Sequence, residues 1–185
     1  MTPWIVLGII VLLVLWIISL YNGFVKSKNK IDNSWSDISV FLKKRFDLVP
    51  NLVSTVKGYA AHERETLEKL VQARSAAMAV PAGDVQAAAS ANQNLGAALR
   101  GLLVVAENYP DLKASHNFLE LQTALQGIEE DLANARRYYN ATVRDYNTAI
   151  QQFPGMLIAG RFGFKPRDFF ELEDKSEAKT VEVKF

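Results

Sequence analysis

FLELQTALQGIEEDLANARRYYNATVRDYNTAIQQF, residues 118 to 153, places Phe118, Leu121, Leu125, Ile128, Leu132, Ala135, Tyr139, Thr142, Tyr146, Ala149 and Phe153 on one recurring pattern. Its steps alternate three and four, which lines one face of an α-helix; sustained over heptads, they make a bundle or coiled-coil seam. Alternation at period two is absent, so these residues do not read as a strand. Pro110 and Asp111 start the helix, and Pro154 and Gly155 stop it. At ~1.5 Å per residue, a helix from Leu112 to Phe153 is about 63 Å long, too long for a compact globule of this chain length. The fold class that follows is all-α, an elongated antiparallel bundle of three to four long helices. Leu125, Ile128 and Leu132 are expected in the middle of its core, and Trp35, Tyr139 and Tyr146 are expected to be buried at helix contacts.

Moving toward the amino terminus, Val85 to Tyr109 turns apolar at Leu95, Leu99, Leu102, Leu103 and Ala106, with Asp84 before it as N-cap. Leu52, Val53, Val56, Tyr59, Ala60, Leu67, Leu70, Val71 and Met78 mark another helix face, interrupted by the charged run His62 to Glu65. Ile31, Trp35, Ile38, Leu42, Phe46 and Val49 mark a further one. Between these two faces stands Pro50, which lacks a backbone donor and disfavours the helical region at the residue before it. A break or kink between Asp47 and Asn51 is therefore expected, with Asn51 capping the restart.

The first segment is of another kind. Residues 1 to 25 contain no Asp, Glu, Lys, Arg or His, and WIVLGIIVLLVLWIISL runs from Trp4 to Leu20. As a helix this stretch spans roughly 26 Å, enough to cross a bilayer with Tyr21 and Pro3 at its rims. The expected span is about 4–21, marked by Trp4, Leu7, Leu12, Trp16, Leu20 and Tyr21. A secretory signal would carry a basic start and a small-residue cleavage site, and neither is present. Lys26, Lys28 and Lys30 follow the span, and Lys43, Lys44 and Arg45 follow soon after. The positive-inside bias then puts the bundle in the cytoplasm and the amino terminus outside. Lysines so placed also attract anionic head groups. The expected organisation is a membrane helix in 1–25, a bundle in 26–155 and an extended tail in 156–185.

That tail has apolar clusters at Met156 to Ile158, Phe162, Phe164, Phe169 and Phe170, separated by Gly160, Gly163 and Pro166. Its first part is expected to pack back on the bundle; a membrane-surface or partner contact is the other reading, because Arg161, Lys165 and Arg167 stand among the aromatics. Acidic residues prevail beyond residue 170, where a mobile end is expected.

Composition removes whole classes of chemistry. The 185 residues carry 21 Lys+Arg against 20 Asp+Glu, so no general electrostatic pull toward nucleic acid exists. With no cysteine and only His62 and His116, thiol chemistry, thiolate zinc sites and multi-histidine centres are excluded. His62 and Glu63 begin a zincin motif, but Thr66 stands where its second histidine belongs. Glu129, Glu130 and Asp131 lack the histidine offset of a di-iron bundle site. No catalytic, cofactor or metal site is expected, and Glu63 is expected to pair with Lys57, Arg64 or Arg74 between helices. Asn140, Arg144 and Asn147 follow at four- and three-residue steps and share a face able to bridge helices or meet a partner.

YNGFVKSKNKIDNSWSDISVFLKKRFDLVPNLVSTVKGYAAHE (Tyr21–Glu63), ARRYYNATVRDYN (Ala135–Asn147) and FPGMLIAGRFGF (Phe153–Phe164) together, in this order and spacing, resemble the LemA family of bacterial membrane proteins. The resemblance implies one amino-terminal membrane helix carrying an elongated antiparallel helical bundle on the cytoplasmic side, an association with envelope integrity and stress, and no chemistry. Its name is shared with an unrelated sensor kinase, whose phosphate loop this chain lacks. The expected function is a non-enzymatic membrane-tethered scaffold. The alternatives are an accessory regulator of a membrane protease or stress pathway and, last, an unrecognised hydrolase or metal enzyme. The expected partners are the lipid bilayer, unidentified proteins and further copies of the chain, without nucleic acid.

Overall fold

The computed structural model describes residues 2–171, and among them every regular element is a helix. In order these are α1 (Thr2–Tyr59), α2 (Arg64–Met78), α3 (Val85–Glu107), α4 (Pro110–Lys113), α5 (His116–Gln151) and α6 (Gly155–Phe162). Internal contacts divide the chain into two compact units, residues 2–45 with 124–169 and residues 46–123 with 170–171. The expected mobile acidic end lies almost wholly outside the described residues.

In the first unit α1 and α5 run antiparallel. Ser34 faces Thr142 across a 3.3 Å hydroxyl contact, the Trp35 and Tyr139 rings lie 5.7 Å apart, and Arg45 reaches Glu129 at 2.5 Å. Rising numbers on one helix thus meet falling numbers on the other. Ile31, Ile38 and Leu42 from α1 and Leu125, Leu132, Tyr139, Val143, Tyr146 and Ile150 from α5 are buried. The seam register therefore holds through Tyr146 with two corrections: Ile128 and Trp35 are half-buried at its edge, and Phe153 is exposed. Phe153 leaves the seam because α5 ends at Gln151, two residues before it.

The predicted break at Pro50 does not occur, since α1 is one helix of 58 residues with Pro50 inside it. The proline removes the N–H that would bond the Phe46 carbonyl four residues earlier. Arg74 Nε from α2 donates to that carbonyl instead, at 2.8 Å. Val49, Leu52 and Val56 are buried around the exposed proline, so packing also keeps the helix continuous through it. Asn51 accordingly caps nothing; it is exposed mid-helix, and its carbonyl accepts from Ser54 Oγ at 3.0 Å. The interruption falls instead at Ala60–Glu63.

Also in the second unit, α2 packs on α3 and α3 on α4. Asp84 caps α3 as expected, accepting from the Ala87 N–H at 2.9 Å. The single helix expected from Leu112 is split at Ala114 and Ser115. Leu112 and Phe118 are both buried, and six residues apart on one helix they would point some 120° away from each other. The break lets each face the core.

The expected extended tail starts as a helix, α6, closed by Gly163 in the left-handed region at φ 73°. Glycine takes that conformation without strain. From Phe164 the chain is irregular and runs back along the first unit to Phe170, which is fully buried.

Candidate functional site

Two features remain once the core is accounted for. The first is an apolar surface. Trp4, Leu7, Leu12 and Trp16 are exposed, Leu20 is half-exposed, and no residue of the most apolar stretch of α1 is buried in the structure. Pro3 to Leu20 is long and apolar enough to cross a membrane. Tyr21 closes the stretch and meets Phe162 and Phe164 edge-on at centroid distances of 5.0 and 5.5 Å. One turn further, Phe24 is buried against Phe164 at 5.4 Å.

The second is a polar junction where residues 163–168 cross α1 and α5. Asn147, half-buried on α5, holds Arg167 by both backbone groups: its Nδ2 donates to the Arg167 carbonyl at 2.9 Å, and its Oδ1 accepts from the Arg167 N–H at 2.8 Å. A side-chain amide thereby does what a neighbouring strand would do. The Arg167 guanidinium then reaches Asp32 on α1 at 2.6 Å. Tyr139 donates its hydroxyl to the Asp168 carbonyl at 3.0 Å. Burial pushes that hydroxyl up to about 12, Arg167 pulling it down and Asp168 and Asp32 adding to the rise. Burial likewise raises Tyr146. Both phenols therefore stay neutral through the physiological range, Tyr139 as a donor. Beneath them Ser34 and Thr142 are buried, each donating back to its own helix, to Ile31 and Tyr139 carbonyls.

Of the face expected to join Asn140, Arg144 and Asn147, the structure places Asn147 in the junction. Arg144 is exposed beside Asp145 at 3.4 Å, and Asn140 is half-buried on α5. His62 is exposed in the α1–α2 turn. Glu63 takes no partner from Lys57, Arg64 or Arg74; its carboxylate accepts from the Tyr109 hydroxyl at 3.1 Å. Burial first, and Glu63 second, raise the Tyr109 pKa. Nearby an open groove of about 600 Å³ is lined by residues such as Val53, Lys57, Arg64, Leu67 and Val71. Among the described residues no three His, Asp or Glu side chains gather as a metal site requires. Sequence reasoning missed Asp32, Arg167 and Asp168 as one cluster, because Asp32 and Arg167 lie 135 residues apart and no periodicity links them. The junction binds chain to chain: Tyr139 and Asn147 spend their side-chain groups on backbone, and Arg167 pairs with Asp32.

Comparison with known proteins gives the remaining finding. The sequence model described as LemA family matches residues 34–185. The chain is 27% identical to magnetosome protein MamQ of Magnetospirillum gryphiswaldense, the match covering 81% of this chain and 64% of that protein. It is 26% identical to magnetosome protein MamQ 2 of Paramagnetospirillum magneticum, covering 82% and 64%. With protein LemA of Metamycoplasma hominis it shares 28% identity, covering 88% and 72%. The chain thus spans somewhat under two thirds of the length of the MamQ relatives.

Proposed function

The chain belongs to the LemA family, and from that premise we propose that it is a single-span membrane protein whose helical body is a non-enzymatic scaffold at the inner face of the cell membrane. The observation that carries this reading is the two-part character of α1. Its first turns leave nearly all large apolar side chains exposed, while further along the same helix Phe24, Ile31, Ile38 and Leu42 are buried. One continuous helix therefore couples a membrane segment rigidly to a packed body, as an anchored scaffold needs and a diffusing enzyme does not. The names of the relatives, magnetosome protein and LemA, are not enzyme names. The exposed Lys26, Lys28 and Lys30 support a cytoplasmic body by the positive-inside bias.

Topology tests it. The absence of native cysteine permits single cysteines at Thr2 and at the exposed Gln93, labelled in intact cells with a membrane-impermeant maleimide. Labelling at position 2 alone is expected. Labelling at position 93 alone reverses the orientation, and recovery of the protein in the soluble fraction after carbonate washing overturns the anchor itself. Turnover of phosphoester, peptide or acyl substrates by pure protein, lost on changing His62 or Glu63, would overturn the scaffold.

A further inference from the structure

Helix α6 buries one side and leaves the other bare. Gly155 and Ala159 are buried, and a Cβ on Gly155 would stand 2.2 Å from the Ala149 carbonyl oxygen and 3.0 Å from the Phe24 ring. The opposite side carries Met156, 51% exposed, and Leu157, 59% exposed; Phe153, 78% exposed, precedes them, and the exposed Arg161 borders them. At 100° per residue Met156, Leu157, Gly160 and Arg161 share that outer arc. Phe162 extends the apolar surface to Tyr21, against which it packs while remaining half-exposed.

We infer that α6 is a second membrane contact, an interfacial helix that lays Phe153, Met156 and Leu157 into the head-group boundary beside the foot of the span. The inference rests on the anchor reading of α1, and three observations select lipid as the occupant. Contact with Tyr21 fixes α6 at the level where the span ends, so its bare face continues the surface that the span gives to lipid. The charge there has one sign: residues 1–31 and 146–167 contain no Asp or Glu, while Lys26, Lys28, Arg161 and Lys165 are exposed. Basic residues flanking a short apolar face are what binds an anionic bilayer surface, at roughly 1 kcal/mol per cation. Finally, an apolar face whose charged neighbours Arg161 and Lys165 are both cations matches a lipid head-group layer on both counts.

The test uses the full-length protein in vesicles of phosphatidylcholine and phosphatidylglycerol, with an environment-sensitive nitrobenzoxadiazole label on single cysteines at Leu157, Ile10 and Gln93. Nitroxide-bearing lipids are expected to quench the labels at positions 10 and 157 at least about twofold and to leave position 93 unchanged. In vesicles of phosphatidylcholine alone, and with Arg161→Gln and Lys165→Gln combined, quenching at position 157 should fall while that at position 10 stays. Quenching at position 10 without any at position 157 overturns the interfacial helix and spares the anchor. No quenching at position 10 overturns both. Oxidative crosslinking of two copies through an unlabelled cysteine at position 157, without lipid quenching, would assign this face to a second copy instead.

Discussion

The two ends of α1 obey the same backbone geometry and opposite rules for side chains. From Trp4 to Ile18 the large apolar residues point in every direction and are nearly all exposed. From Phe24 to Val56 the buried ones fall on a stripe, Ile31, Ile38, Leu42, Val49, Leu52 and Val56, with Lys, Asp and Asn between them outside. The helix itself is no guide to its solvent; the angular spread of apolar residues is. An all-round apolar helix matches a medium that is apolar all round, and a striped helix matches a boundary.

Substitutions that treat the two ends alike should separate them. Ile38→Ala should cost about 2–5 kcal/mol in urea unfolding of the detergent-solubilised protein, whereas Leu12→Ala should leave that transition unmoved; equal effects would mean that the first turns are packed. Conversely Leu12→Arg, worth about 3 kcal/mol against insertion, should shift the protein out of the carbonate-resistant membrane fraction without changing its melting in detergent. Glycines draw the same line at smaller scale. Nothing lies within 4 Å of a Cβ on Gly8, whereas at Gly155 the Ala149 carbonyl stands in its place. Gly155→Ala should therefore destabilise by about 1–3 kcal/mol, and Gly8→Ala should be silent.

The smallest effect is in the alkaline limb. Tyr139 packs against Trp35 of the striped end, its hydroxyl raised from 10.0 to about 12. A folded pKa above the unfolded one favours the protonated form, so this contribution is whole below pH 10 and is lost as pH rises toward 12. Between pH 8 and pH 11 the protein should lose on the order of 1 kcal/mol more than Tyr139→Phe does. Identical pH profiles would place the Tyr139 hydroxyl in water.

The seam through α5 and the apolar start of α1 were legible because each is a repeated pattern within one element, where geometry acts on neighbours three and four apart. Contacts across the fold were not. Asn147 could be recognised as an asparagine needing a reason to sit in a helix, but its partner, the backbone of Arg167, leaves no mark on side-chain identity. The split between α4 and α5 was within reach: Leu112 falls out of phase with the seam that begins at Phe118, and Ser115 stands immediately before α5. Pro50 was misread for a different reason. A rule about one residue assumes that its surroundings supply nothing, and here Arg74 supplies the missing donor.

That donor arrives late. Arg74 lies 28 residues beyond Phe46, so the carbonyl meets its donor only once α2 has folded against the end of α1. Until then the Phe46 carbonyl has only water, and the stretch around Pro50 is free to bend. The continuity of α1 is thus conditional on the folding of the second unit: with α2 unfolded, the chain carries a joint at Pro50 where the folded chain carries a helix.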